Sequence, residues 1–184
     1  MGQAHQYGST ILVLTLLAAA GCASTVPKAK FTHEIESKAR VSLNDQTKVQ
    51  VDAAETVKIL TADQHRLSEK IQARIESRKA TNAPAADVAA RTYEVDLHLT
   101  RYEKGNAFAR AMLAGLGQIH IDGTITIYQM PEHALVGEFQ LQKTFAWGGI
   151  YGSATSMDDI ENTFADGVAA AVTGQKEESQ KKKP

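Results

Sequence analysis

Two pairs of side chains that could bind a metal ion lie on predicted strands. His98 is two residues from Asp96, and His120 is two residues from Asp122. Because side chains alternate between the two faces of a strand, each pair shares the polar face of its strand. Imidazole and carboxylate groups bind Zn²⁺, so neighbouring strands in a suitable register could bring four ligands together. Histidine and aspartate are equally ordinary on a solvated sheet face, and we therefore predict no metal site and no cofactor.

A second candidate for chemistry is the thiol of Cys22, the one cysteine of the chain, which has no disulfide partner within it. It follows an apolar run over residues 11–20 that closes on alanines and Gly21. This run is too short to cross a bilayer as a helix, which takes about 20 residues, and it has the length of the apolar part of a secretory signal peptide. Free cysteines are commonly buried in cores. Here the apolar run is N-terminal and a polar stretch follows, which favours a chemical use of the thiol.

The residues up to Cys22 resemble the lipobox of bacterial lipoproteins, in which the cysteine is acylated by fatty acids such as palmitate and the preceding peptide bond is cut. Ala19 stands where lipoboxes usually carry Leu, and no Lys or Arg precedes the apolar run. The resemblance implies a signal peptide over residues 1–21 and an acylated Cys22 as membrane anchor, held stably by two or more acyl chains. Ala23 is not the aspartate associated with inner-membrane retention, so the implied location is the periplasmic face of the outer membrane.

The composition is that of a folded domain. The chain has 184 residues, of which 43% are hydrophobic and 22% charged, and its formal net charge is −1. These values are typical of a globular protein, and without a basic excess nucleic acid is not the expected partner. We predict a lipidated tether over residues 22–36, one domain over residues 37–174 and a disordered charged tail over residues 175–184.

Alternation of apolar and polar residues predicts the strands. Three long strands are expected over residues 93–102, 119–130 and 134–145, with a hairpin between the last two. Each has one apolar and one polar face, which is typical of an antiparallel sheet covered on one side. Shorter alternating stretches at residues 39–43 and 48–51 suggest two further strands, of which one joins the main sheet.

Two helices are predicted from stripes of apolar residues three to four positions apart. The first begins near Thr61, and its stripe contains Leu67, Ile71 and Ile75. The last begins after Ser156 as N-cap and ends at Gly174. We therefore predict an α+β fold in which a single antiparallel sheet carries two helices on one face, in the order β-α-β-β-β-α.

A glycine-rich segment lies between the first two long strands. Its pattern is Gly105-Asn106, then Arg110, then Gly115 and Gly117. With the glycines of residues 148–152 and the closing helix, this pattern resembles a family of bacterial lipoproteins defined by a domain of unknown function, DUF4410. The resemblance covers about residues 93–174. It implies an envelope lipoprotein and brings no activity with it.

The apolar residues of this segment allow two interpretations. The segment over residues 107–116 could pack on the edge of its own sheet, or it could form an exposed apolar patch with residues 145–151, for a partner or the membrane surface. A basic side chain among apolar ones needs a partner, so we expect the guanidinium in this segment to bind a backbone carbonyl or an acidic neighbour. The candidate interaction patch consists of Phe108, Arg110, Met112, Trp147 and Tyr151.

No catalytic motif is recognisable. The chain lacks a Gly-x-Ser-x-Gly elbow, a phosphate-binding loop, a metalloprotease histidine motif and a Cys-His pair, so we predict that it is not an enzyme. The predicted function is that of a lipid-anchored periplasmic binding or accessory protein of the bacterial cell envelope. It would act by protein–protein contacts with an envelope partner or with itself. The alternative is a lipoprotein that binds a small ligand or metal ion in the periplasm, which an enclosed polar pocket would favour.

Overall fold

The computed structural model describes residues 25–79, 89–113 and 115–174. Cys22, the predicted signal peptide and the predicted tail over residues 175–184 lie outside these residues. Among the described residues, no helix combines the length and the apolarity needed to cross a bilayer. The helices and strands are β1 Lys30–His33, β2 Gln46–Ala53, α1 Thr61–Lys79, β3 Thr92–Glu103, α2 Ala107–Met112, β4 Ile119–Met130, β5 Ala134–Phe145, α3 Gly149–Ala154 and α4 Met157–Thr173.

The strands form one five-stranded sheet in the order β1-β5-β4-β3-β2. A mixed α+β fold with a single sheet is therefore confirmed. Strands β3, β4, β5 and β1 pair in antiparallel fashion, whereas β2 pairs with β3 in parallel. The prediction of a wholly antiparallel sheet is wrong for this pair. Since α1 carries the chain back between β2 and β3, both strands start at the same end of the sheet, as a helical crossover requires.

The core lies between the sheet and two long helices. Helix α1 packs against α4 and β2, and α4 also contacts β4 and β5. The predicted stripe of α1 is fully buried, and strand residues from the apolar face of the sheet complete the same cluster. Each such side chain, when fully buried, contributes about 1.5–3 kcal/mol of transfer free energy. The buried residues of the two helices include Leu67, Ile71, Ile75, Ile160, Phe164, Val168 and Val172.

The ends of α4 follow the predicted signals. Ser156 is the N-cap, and it forms a reciprocal capping box with Asp159, each side chain binding the backbone N–H of the other residue. The helix ends at Gly174 in the left-handed conformation at φ 68°. Helix α4 therefore begins and ends where its sequence predicts.

The N-terminal part of the fold differs from the prediction of a tether over residues 22–36. In the described part of this range Lys30–His33 forms β1 against β5, and Ile35 is buried in the core. Pro27 lies against α4, so closely that a Cβ added at Gly167 would be 2.9 Å from it. The four residues of β1 are all exposed and have no apolar alternation, which is why the pattern did not indicate a strand.

Residues 39–43 form no strand either. Ser37–Ala39 is a 3₁₀ turn, and Val41 is buried. The Val41 N–H donates to the carbonyl of Val172 at 3.3 Å, so this segment is paired with the C-terminal end of α4 rather than with the sheet.

A buried carboxylate connects α1, β3 and α4. Glu161 on α4 is fully buried and accepts hydrogen bonds from Arg66 Nη2 at 2.7 Å, Lys70 Nζ at 2.9 Å and the Tyr102 hydroxyl at 2.6 Å. Burial alone raises the pKa of Glu161, but these hydrogen bonds outweigh it and hold the pKa below its ordinary value of 4.5. The carboxylate is therefore ionised and compensated inside the fold.

We predict that Glu161→Gln lowers the free energy of unfolding by about 2 kcal/mol near neutral pH. The variant removes the buried charge that Arg66 and Lys70 share, although Arg66 keeps Asp63 and Lys70 keeps Asp158 as partners. Since the pKa of Glu161 is lower in the folded protein than in the unfolded chain, its contribution is complete above 4.5 and is lost as the pH falls through the folded pKa. Urea unfolding followed by circular dichroism, repeated over acidic pH, should show a shallower acid-induced loss in this variant. Glu69→Gln, at an exposed carboxylate of α1, is the matched control and should resemble the wild type. Equal stabilities of the two variants would contradict the prediction.

Candidate functional site

Two short helices present an exposed apolar surface at one end of the sheet. Helices α2 and α3 pack against each other, and most of their large apolar side chains face solvent. Ile150 is 85% exposed, Tyr151 82% and Phe108 76%. Apart from Arg110, residues 105–118 and 145–157 contain no charged residue. We refer to the following residues as the α2–α3 surface: Phe108, Met112, Leu113, Leu116, Trp147, Ile150 and Tyr151.

Arg110, in contrast, is buried. Its prediction as a contact residue of the patch is therefore wrong. The Arg110 guanidinium donates three hydrogen bonds to backbone carbonyls. These are Nη1 to Gly117 at 2.6 Å, Nε to Gly152 at 2.8 Å and Nη2 to Thr155 at 2.9 Å. Burial lowers the pKa of Arg110. The residue binds backbone carbonyls, as expected for a cation among apolar side chains, and it connects α2 to the C-terminal half of α3.

The glycine-rich motif closes on itself beneath α2. The Asn106 side chain caps the helix by accepting from the Ala109 N–H at 2.9 Å, and the Asn106 N–H donates to Gly117 at 3.1 Å. Gly105 and Gly117 both have φ near 65°, which favours glycine. A Cβ at Gly117 would lie 2.3 Å from the Asn106 carbonyl oxygen. The spacing of the motif is therefore explained by the closure of this loop.

Helix α3 is held as closely as α2. Gly152 is buried, and a Cβ there would lie 2.1 Å from the carbonyl oxygen of Trp147. The Gly115 N–H donates to Ala146 at 3.3 Å, which joins the loop after α2 to the segment before α3. The apolar side chains of the α2–α3 surface thus stand on a backbone fixed by hydrogen bonds and close packing.

The predicted patch residues Phe108, Met112, Trp147 and Tyr151 are all exposed, and their use in an interaction stays a prediction. Leu113, Leu116 and Ile150 lie in the two segments predicted as a possible patch, but they are not among the predicted patch residues. The sequence contains an indication that these residues are exposed, because large apolar residues in two uncharged, glycine-containing segments have few polar neighbours to cover them.

The residues considered as metal ligands are on adjacent strands, but the register separates them. His98 on β3 lies opposite Thr124, and its Nδ1 is 3.0 Å from the Asp52 carboxylate on β2. Asp122 on β4 lies opposite Arg101, beyond a bulge in β3. Burial raises the pKa of Asp122. The two histidine–aspartate pairs are therefore displaced along the sheet.

His120, the other histidine, lies opposite Glu103, and its Nδ1 is 3.0 Å from Thr144 Oγ1. Burial lowers the pKa of His120, which favours the neutral ring. In the described part of the chain, no group of three or more His, Cys, Asp or Glu is arranged to hold a metal ion. The geometry gives the metal-binding alternative no support.

A groove of about 530 Å³ runs between the segment around β1 and the C-terminal half of α4. Its charged lining residues are Lys28, Glu34 and Arg40, and small residues of α4 form its floor. The groove is open to solvent, whereas the small-ligand alternative requires an enclosed polar pocket. It provides no specific argument for a ligand.

The family model for the domain of unknown function DUF4410 matches residues 29–149. The chain belongs to the DUF4410 family. The match includes β1, the sheet and the whole glycine-rich motif, so the family resemblance predicted from the motif is confirmed. It begins further toward the N-terminus than residue 93, and it ends at residue 149, before the closing helix α4.

Similar solved structures show the same fold. The PelC dodecamer from Paraburkholderia phytofirmans is 10% identical, with a TM-score of 0.54 over 79% of this chain and 98% of that chain. A single-residue variant of that PelC gives 12% identity and a TM-score of 0.53, covering 82% and 99%. A protein of Caulobacter crescentus CB15, provisionally classed as a lipoprotein, is 16% identical over 68% of this chain and 84% of that one. Its TM-score is 0.34, which is too low to show a common fold. No curated protein matches the chain.

We predict that Arg110→Lys loosens the α2–α3 surface without unfolding the domain. The ammonium group of lysine cannot form the three hydrogen bonds that the planar guanidinium of Arg110 donates to separate backbone carbonyls. Hydrogen exchange of residues 105–117 and 149–155 should become about tenfold faster, equivalent to about 1.4 kcal/mol, while the amides of β4 and α4 keep their protection. Arg101→Lys, at a half-exposed arginine paired with Glu103, is the matched control and should exchange like the wild type. Unchanged exchange in the Arg110 variant would show that the three bonds do not hold the two helices.

Proposed function

We propose that this DUF4410 protein is a lipid-anchored accessory protein of the bacterial cell envelope, which acts by binding rather than catalysis. The observation that carries the proposal is the α2–α3 surface. Uncharged, exposed apolar surface of this kind marks a site of contact with a protein or a membrane. Here it is also built rigidly, since Arg110 and two glycine contacts fix the backbone beneath it. A domain that only needed stability would have no reason to keep such a surface exposed.

The proposed location follows from Cys22. The lipobox resemblance implies that the mature chain begins there, and Thr25, three residues later, already accepts a hydrogen bond from Lys143. We infer an acylated protein on the periplasmic face of the outer membrane. Membership of the DUF4410 family supports this inference, because the resemblance to that family implies a bacterial lipoprotein.

The partner that we propose is a second copy of this chain. The similar PelC structures are dodecamers, and the chain covers nearly all of the PelC chain. Among the described residues, neither β1 nor β2 has a strand on its outer side. Free edges of this kind can pair with another chain. A head-to-tail contact between copies gives a ring when its rotation closes.

We expect Cys22→Ser to abolish anchoring. The wild-type protein should sediment with membranes, incorporate a labelled fatty acid and lack residues 1–21, whereas the variant should take up no label and keep those residues. Membrane fractionation with mass spectrometry of the N-terminal peptide measures both. Ser24→Cys in the Cys22→Ser background controls for thiol content, because it restores a cysteine at the wrong distance from the apolar run. A wild-type protein with an uncut N-terminus and a free thiol would refute the proposed location.

We expect the acylated protein, extracted in mild detergent, to have a mass of several chains. Light scattering coupled to size-exclusion chromatography measures this after subtraction of the detergent. A single-chain mass at all concentrations, with the fold intact by circular dichroism, would refute self-association and leave the anchor untouched.

A further inference from the structure

The first described residues place the start of the fold at one end of the sheet. The Lys143 side chain, which is buried, donates from Nζ to the carbonyl oxygen of Thr25. Lys143 lies on β5, close to the last residue of that strand, Phe145. Because β1 is antiparallel to β5, the chain that precedes β1 runs toward this same end. The N-terminal segment therefore leaves the domain where β5 finishes.

The α2–α3 surface lies at that end too. Trp147 is the second residue after β5, and α3 begins two residues later. Loop residue Gly115, after α2, is hydrogen-bonded to Ala146. The exit of the N-terminal segment and the apolar surface are thus at one end of the strands, and the other end of β5 carries the hairpin to β4.

The anchor can reach only a short distance from Thr25. An extended chain spans at most about 3.3–3.6 Å per residue, so the three steps from Thr25 to Cys22 span roughly 10 Å. An acylated cysteine lies at the level of the lipid headgroups. A domain held this closely must turn one side to the bilayer, and the side next to Thr25 is the one with the α2–α3 surface. Such a tether keeps the bilayer at a high effective concentration beside that surface.

The chemistry of the surface suits a lipid interface. Trp147 and Tyr151 are the side-chain types that favour the headgroup region, and Ile150 and Leu116 offer aliphatic area to the acyl boundary. The absence of acidic residues from residues 105–118 and 145–157 removes repulsion from anionic lipids. A protein partner would need to fit between the domain and the membrane.

We propose that the α2–α3 surface rests on the lipid bilayer beside acylated Cys22. The proposal depends on the lipid anchor of the proposed function, and it adds the orientation of the domain. The end of the sheet with α2 and α3 faces the membrane, so the strands point away from the bilayer surface. The outer edges of β1 and β2, beside which the described part of the chain places no other strand, then lie at the side of the domain and face neighbouring copies.

The single tryptophan of the chain tests this directly, because Trp147 belongs to the surface. The acylated wild-type protein is reconstituted into phosphatidylethanolamine–phosphatidylglycerol vesicles with or without brominated acyl chains. Bromine quenches only indole groups at the depth of the lipid, so we expect Trp147 emission to fall about twofold in brominated vesicles. The double variant Ile150→Asp/Tyr151→Asp should lose most of this quenching. Leu60→Asp, at a leucine before α1 that is 67% exposed, is the control and should keep it.

The outcomes separate the two proposals. Acylated protein that shows no quenching in brominated vesicles overturns lipid docking and leaves the anchor intact. A blue-shifted Trp147 that lipid bromine does not reach, with a shift that depends on protein concentration, identifies a second copy on the surface and also overturns it. Mass spectrometry of the same sample that shows an unmodified Cys22 refutes the proposed function and this inference together.

Discussion

The structure at the candidate site depends on the guanidinium of Arg110. Helices α2 and α3 have six residues each, which is too short for a helix to be stable on its own. Neither buries a large apolar stripe, because their apolar side chains point outward. What holds them is one buried cation shared by the carbonyls of Gly117, Gly152 and Thr155. A charge is costly to bury without partners, and here three carbonyl dipoles compensate it.

This arrangement explains why the polar residues Asn106 and Arg110 lie beneath the apolar α2–α3 surface. In most domains a segment folds by burying its apolar residues. Here the glycines at positions 105 and 117 and the cap of Asn106 supply the fold of the loop, and the apolar residues are left free for contact. The core between α1, α4 and the sheet is separate from this end and is stabilised by its own apolar cluster and by Glu161. The stability of the core and the exposed apolar surface therefore depend on different sets of residues.

The elements that could be predicted from the sequence are those with one buried face. The bounds of β4 and β5 match the alternation, because a change of register would expose every apolar residue of the strand. The parallel pairing of β2 was not predictable, because alternation reports which face is buried and not the direction of the neighbouring strand. Strand β1 was missed since all of its side chains are exposed. At the site, the sequence left open whether Phe108 and Tyr151 pack on the sheet edge or are exposed. The three carbonyl partners of Arg110 depend on how distant segments meet.

The missed strand matters most for function. With a flexible tether through residue 36, an acyl anchor would leave the domain free to rotate and to stand far from the bilayer, and no surface would be favoured for contact. Strand β1, the packing of Pro27 on α4 and the bond from Lys143 to Thr25 place the first described residue in contact with the fold, three positions after the proposed anchor Cys22. A short connection to the proposed anchor would fix which side of the domain faces the bilayer. In the proposed assembly of copies on one membrane, a common orientation would remove most of the rotational freedom that association otherwise costs, so weak contacts between sheet edges would be sufficient.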